Sequence, residues 1–151
     1  MASRTRNPGT DWLASCAPNP VLVQRKWAAG ELADIPSGRL WLAVEADILP
    51  SVAAMQRIGP ERLGPVLVHP GADRAWWLVP PGAEEHLADL PRLTVHPEAR
   101  PLLCPPADRY IDGLGWLEKP DGTGRLTNTA ALGAAFGPGG SGLRLPAGAF
   151  C

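Results

Sequence analysis

The segment VEAD places two carboxylates, Glu45 and Asp47, two residues apart at the end of an apolar run. On a strand, residues two apart point to the same face of the sheet, so both side chains can reach one ligand. Carboxylate oxygens suit Mg²⁺ or Mn²⁺. The pair is therefore a candidate metal site, and it equally fits a solvated strand end that leads into a helix.

Histidines are the other side chains suited to acid–base or metal chemistry, and the chain has His69, His86 and His96. Their spacing matches no H-E-x-x-H or comparable zinc motif. The sequence also has no G-x-S-x-G elbow and no G-x-x-x-x-G-K-[ST] loop. These absences argue against the common zinc, serine-hydrolase and nucleotide-loop chemistries.

Tryptophans are frequent, with six against one tyrosine and two phenylalanines. Trp76 and Trp77 are adjacent, so on a strand they point to opposite faces, and the outer ring can either stack a base or lie under another element. In QRKW, Arg25 and Lys26 precede Trp27, which puts two cations beside a ring. QRKW is the best candidate for a nucleic-acid contact, or else a solvated linker.

The composition limits the class of protein. The 151 residues suit one domain, and 14 Lys+Arg against 15 Asp+Glu give a net charge of −1. Nucleic-acid binding is therefore expected to be weak or absent, and a protein partner is favoured. No apolar run approaches the ~20 residues of a membrane span, no signal-peptide core is seen, and three cysteines encode no disulfide framework. We expect a cytoplasmic protein without a membrane partner.

The elements that position these residues follow from periodicity and turns. Gly and Pro, 17 and 18 residues, predict short elements joined by many turns. The predicted elements are a strand at Leu40–Val44, a helix at Ser51–Ile58, strands at Val66–Val68 and Trp76–Val79, a helix at Glu84–Leu90 and a short strand within Leu93–His96. This order predicts an α+β fold, a ferredoxin-like or RRM-like β-α-β-β-α-β antiparallel sheet with its helices on one face and additions at the C-terminus.

The ends of the chain differ from its middle. Residues 1–20 hold four Pro or Gly positions around one short apolar segment, and residues 137–151 are rich in Gly and Pro. We therefore predict a flexible N-terminal arm over 1–20, a single domain over 21–136 and a flexible tail over 137–151.

The segment Gly38–Phe136 resembles the N-terminal domain of bifunctional DNA primase/polymerases, and more closely small actinobacterial proteins with a reduced form of that domain. The resemblance is carried by the order of GRLW, LGPVLVH, RAWWLVPPG, the stretch from Thr94 through LLCPP, GLGWLEKPDGTGRLT and a final Ala/Leu helix. It implies an RRM-like catalytic sheet.

The resemblance also implies where an active site would lie. The D-x-D motif of active members falls on Glu45 and Asp47, their histidine on Ala75 and their third acidic residue on Thr94. Two-metal nucleotidyl transfer needs a full carboxylate set, so these replacements predict lost chemistry.

Three functions remain open from the sequence. The first is a catalytically degenerate primase/polymerase-like domain without a cofactor, acting as a binding or regulatory module. The second is a small nucleotidyl or phosphoryl transferase that uses Glu45, Asp47 and His69 with Mg²⁺ or Mn²⁺. The third is a protein-binding subunit of a larger assembly whose terminal segments order on a partner.

Overall fold

The structure, a computed structural model, describes residues 7–137. It is a mixed α+β fold in which every strand pairing is antiparallel. The predicted tail, apart from Gly137, and the first six residues of the predicted arm lie outside the described residues. None of the helices within residues 7–137 is long and apolar enough to cross a membrane.

Local sequence explains where the helices begin. Asn7, Asn19 and Asn128 each accept a hydrogen bond from a backbone N–H of the first turn, and a proline follows the first two. Within residues 7–137 the α-helices are α1 (Pro8–Ser15), α2 (Pro20–Ala28), α3 (Ile48–Ile58), α4 (Glu84–Leu87) and α5 (Thr129–Phe136).

The strands form two sheets. They are β1 (Ala33–Pro36), β2 (Leu42–Ala46), β3 (Val66–His69), β4 (Arg74–Val79), β5 (Thr94–Val95), β6 (Pro101–Cys104) and β7 (Gly115–Glu118). The larger sheet has the order β5-β2-β4-β3-β7, and β1 pairs with β6 in a separate two-stranded sheet. Strand β7, which lies within the segment GLGWLEKP, is one edge of the larger sheet.

Two predicted ends of secondary-structure elements are wrong, and neighbouring residues explain both differences. Strand β2 begins at Leu42 and not at Leu40, because Gly38 has a φ of 118° and its N–H closes a turn onto the Trp41 carbonyl at 2.7 Å. Helix α4 ends at Leu87, three residues early, because Leu90 precedes a proline and such residues disfavour the helical region.

The first face of the five-stranded sheet, which carries Val44 and Trp77, is covered by α3, α4 and α5. Both helices that the sequence predicted therefore pack on the same face. Trp77 is fully buried there and meets the ring of Phe136 edge-on at a centroid distance of 5.9 Å. Its indole N–H donates to the Ser51 hydroxyl at 3.0 Å, which satisfies both buried polar groups.

The second face, which carries Glu45 and Trp76, is covered over much of its area by α1, α2 and the β1–β6 sheet. The sequence predicts a flexible arm over residues 1–20, but residues 8–15 form helix α1. Leu13 is fully buried in this layer, and the Ala107 N–H donates to the Thr10 hydroxyl at 3.0 Å. Helices α1 and α2, which were not predicted from the sequence, lie on this second face, whereas the two predicted helices share the first.

Candidate functional site

Charged side chains gather at one open end of the second face. Arg74 Nη2 lies 2.9 Å from Asp47 Oδ1, and Arg74 Nε lies 3.5 Å from Glu45 Oε2. The antiparallel register explains the meeting, since Ala46 at the end of β2 pairs with Ala75 near the start of β4. One guanidinium therefore bridges the two carboxylates that the sequence singled out.

His96 completes this group of charges. Its Nε2 lies 2.7 Å from Glu45 Oε1, and its backbone N–H donates to the Ala43 carbonyl at 2.9 Å. The backbone bond continues the pairing of β5 with β2 by one step and so fixes the ring against the carboxylate. We call Glu45, Asp47, Arg74 and His96 the carboxylate–arginine network.

The turn between β2 and α3 explains the orientation of Asp47. Asp47 is the N-cap residue of α3, yet its own side chain makes no capping hydrogen bond. The Ile48 N–H donates instead to Asp73 Oδ1 at 3.2 Å. Asp73, in the turn between β3 and β4, thus caps the N-terminus of α3. The carboxylate of Asp47 pairs with Arg74 instead.

Sequence reasoning missed Arg74 and His96. His96 lies two residues after Thr94, which pairs with Glu45 in the register of β5 and β2, and the sequence alone does not encode that register. Residues two apart on a strand share a face, so His96 had to lie on the side of Glu45. The ring of His69, in contrast, shares no hydrogen bond or ion pair with either carboxylate within residues 7–137. Its Nδ1 accepts from the Ala72 N–H at 3.1 Å.

The residue expected to replace the family's histidine is on the wrong face. Ala75 is fully buried among the apolar residues of the first face, whereas Glu45 belongs to the second. In the register of β4 it is Arg74 and Trp76 that share the face of Glu45. Thr94, the other replaced position, does lie opposite Glu45.

The side chains do not fit the divalent cation that the resemblance implies. Arg74 places a positive group between Glu45 and Asp47, and it would repel a second cation there. Within residues 7–137, no three His, Cys, Asp or Glu side chains are grouped as metal ligands. The described arrangement is an ion-paired network and not a site for Mg²⁺ or Mn²⁺.

The tryptophan candidates are placed differently from one another. Trp76 is partly buried against the cluster of the second face, while Trp77 belongs to the core of the first. Trp27 is only 3% exposed and its indole N–H donates to the Cys104 carbonyl at 2.8 Å. Trp27 therefore cannot stack a base, although Arg25 beside it is exposed and Lys26 half-exposed.

A cleft of about 350 Å³ adjoins the carboxylate–arginine network at the sheet edge. Its polar lining comes from Asp47, Arg74, Arg92 and Thr94, and its apolar lining includes Phe136. Two guanidinium groups face one carboxylate in this polar cleft, so its formal charge is positive. Such a cleft is suited to a small anion.

Comparison of the chain with known protein families, with curated proteins and with solved structures finds no significant match.

Proposed function

We propose that the chain is a catalytically degenerate primase/polymerase-like domain that acts as a binding or regulatory module. The observation that carries the proposal is the pairing of Arg74 with both Glu45 and Asp47, at 3.5 Å and 2.9 Å. Catalysis by two metals needs carboxylates free to hold cations, and here one guanidinium engages both. The replacement of the third acidic position by Thr94 supports the same conclusion.

The strand order supports a ferredoxin-like assignment for the central unit. The chain runs β2-α3-β3-β4-α4-β5, and four neighbouring strands of the sheet have the order β5-β2-β4-β3. In a split βαβ unit, the third strand lies between the first two and both crossover helices pack on one face. The positions of α3 and α4 on the first face agree with that pattern.

We further propose that the ligand of the module is a small anion held in the polar cleft. Arg74 is engaged by two carboxylates, whereas Arg92, an exposed residue of the lining, has no ion pair within residues 7–137 and can meet a ligand. Thr94 adds a hydroxyl donor on the same side. Monophosphates and carboxylates suit this combination of one guanidinium and one hydroxyl.

Titration of the protein with AMP and with inorganic phosphate, followed by amide NMR, tests this ligand class. We expect saturable shifts at residues of the cleft, and binding that weakens about 1.4- to 5-fold in Arg92→Ala, because an exposed charge pair is worth about 0.2–1 kcal/mol. Arg57→Ala is the matched control, since Arg57 is an exposed arginine of α3 that does not line the cleft. Equal weakening in both variants would show only a loss of general charge.

The loss of activity is tested separately by template-dependent extension with Mn²⁺. We expect no extension above a buffer blank. Extension that disappears in Glu45→Ala would favour the transferase hypothesis, in which Glu45 and Asp47 act with His69. Binding of AMP without extension would support the module, and extension without Glu45 dependence would indicate a contaminating enzyme.

A protein partner is a second candidate, because α3 leaves apolar side chains uncovered. Leu49 is 79% exposed and Val52, one turn further on, is 36% exposed. Residues three apart share a helix face, so the two form one apolar strip. A binding protein identified with the wild-type chain and lost with Leu49→Glu would support this candidate. Its retention by Leu49→Glu would argue against the strip.

A further inference from the structure

A second cavity lies at the opposite end of β4 from the carboxylate–arginine network, beside Pro80, which follows the last residue of that strand. Its volume of about 780 Å³ falls within the roughly 300–1,000 Å³ that is usual for sites of small organic ligands. Its wall comes from the short 3₁₀ helix Pro60–Arg62, from α4 and from the start of α5. We call it the α4–α5 cavity. It shares no lining residue with the polar cleft.

Hydrogen bonds join the elements of this wall. The Asn128 N–H, at the N-cap of α5, donates to the Arg62 carbonyl at 2.9 Å. The Gly64 N–H donates to the hydroxyl of the fully buried Thr127, also at 2.9 Å. The segment that carries Glu61 and Arg62 is therefore fixed against the start of α5 without a ligand, and a preformed site loses less entropy on binding.

Side chains of opposite charge line the α4–α5 cavity without partners. Glu61 and Arg62 are both exposed lining residues. Neither side chain makes an ion pair or a hydrogen bond within residues 7–137, either with the other or with a third group. His86, an exposed lining residue of α4, is also unpaired in that part of the chain. One carboxylate and one guanidinium are therefore accessible to the same ligand.

The rest of the lining contains apolar surface. Pro80 and Leu126 contribute partly buried side chains, and Ala130 and Gly133 add small residues of α5. Gly133 leaves a gap beside α4, where a Cβ at this position would lie 3.5 Å from Leu87 Cδ2, the distance of an ordinary contact. An apolar group that enters the cavity thus exchanges water for protein surface, which favours binding.

We propose that the α4–α5 cavity binds a small zwitterion, a molecule of about the size of a dipeptide that carries an ammonium group, a carboxylate and apolar side chains. The ammonium group donates to the Glu61 carboxylate, and the ligand carboxylate accepts from the Arg62 guanidinium. The apolar side chains pack on Pro80 and Leu126. A ligand with a single charge would pair with one of the two charged residues and meet the like charge of the other. Since the lining and the ligand class both differ from those of the polar cleft, this proposal is independent of the proposed function.

Titration of ¹⁵N-labelled protein with L-leucyl-L-phenylalanine tests the proposal, because the amide signals of Gly124 and Gly133 report on the lining. We expect saturable shifts with a dissociation constant of about 1 mM or lower. Two derivatives of the same dipeptide are matched controls, since N-acetylation removes the ammonium group and C-terminal amidation removes the carboxylate. Each should bind at least about twofold more weakly, because each loses one exposed charge pair.

Two conservative variants assign the charges. Glu61→Gln should weaken binding of the dipeptide and of its amide but not of the N-acetyl derivative. Arg62→Gln should weaken binding of the dipeptide and of the N-acetyl derivative but not of the amide. Arg57→Ala is the control, since Arg57 is an exposed arginine that does not line this cavity, and it should leave the binding of all three ligands unchanged.

Three outcomes would overturn the proposal. The first is that the dipeptide gives no saturable shift at Gly124 and Gly133. The second is that the dipeptide and its two derivatives bind equally well. The third is that Glu61→Gln and Arg62→Gln weaken all three ligands alike, because the two charges would then not be read separately.

Discussion

The two faces of the five-stranded sheet are formed by the same strands but carry different kinds of side chain at their ends. On the first face, buried apolar residues of β2, β3 and β4 meet three helices, and the buried indole of Trp77 has its acceptor. On the second face, the apolar cluster stops short of one end, where the carboxylate–arginine network begins. Both faces contribute buried apolar clusters, and the open end of the second face adds a group of paired charges. The alternation of β-strands makes this division possible within single segments such as VEAD.

The largest expected effect is a difference in the free energy of unfolding between variants of the two adjacent tryptophans of β4. Trp77→Ala should lower the free energy of unfolding by about 3–5 kcal/mol, because it opens a cavity in the first face and leaves the Ser51 hydroxyl unpaired. Trp76→Ala should cost about 1–2 kcal/mol, since that ring is only partly buried. Urea unfolding of both variants measures the difference. Equal losses would show that the second face supports the fold as strongly as the first.

A smaller effect is expected within the carboxylate–arginine network. Arg74→Ala should cost about 1 kcal/mol, because two partly exposed ion pairs are lost and the carboxylates of Glu45 and Asp47 lose the guanidinium that bridges them. The cost should shrink at about 1 M salt, where screening acts over about 3 Å. Arg125→Ala is the control, since it removes one exposed i,i+4 pair with Asp121 and should change stability very little. A salt-independent loss in Arg74→Ala would contradict an electrostatic role.

The turn that contains Asp121 gives a pH test far from both faces. Hydrogen bonds from the Thr123 side chain and backbone N–H, with a smaller contribution from Arg125, lower the pKa of Asp121. A carboxyl whose pKa is lower in the folded state contributes stability above its unfolded pKa, and that contribution is lost as the pH falls through the folded value. Thr123→Val should raise this pKa, as measured by an NMR titration. An unchanged value would assign the shift to the backbone alone.

The smallest effect is expected at QRKW. Because Trp27 is buried, the QRKW segment presents no exposed aromatic ring beside Arg25 and Lys26. Binding of a labelled single strand near about 50 mM salt should be weak, steeply salt-dependent and the same in Arg25→Ala/Lys26→Ala as in the wild type. A marked loss in the double variant, with Arg57→Ala unchanged, would restore this segment as a nucleic-acid contact.

Local patterns predicted the elements of the central sheet well. Strands β3 and β4 and helix α3 follow from turns and periodicity among residues that lie close together in the sequence. The second layer could not be predicted in this way. Strands β1 and β6 are separated by more than 60 residues, and nothing in ADIP identifies PLLC as its partner.

The candidate site was predicted only in part for the same reason. Glu45 and Asp47 are conspicuous because they are near each other in sequence, and their common face follows from alternation. Arg74 and His96 reach them through the registers of β4 and β5, which no short motif encodes. A shift of one residue in register moves a side chain to the other face, and Ala75, next to Arg74 in β4, lies on the face opposite Glu45.

Helix α1 packs against segments that come much later in the sequence. A Cβ on Gly9 would lie 1.9 Å from the Pro120 carbonyl oxygen, and Thr10 bonds Ala107 across 97 positions. During synthesis, α1 therefore lacks these packing partners until Ala107 and Pro120 have emerged from the ribosome, as expected for contacts of high sequence separation. Ribosome-stalled chains should show this order. We expect α1 to be protease-sensitive in chains that expose residues up to 100 outside the ribosome and protected once residue 124 has emerged.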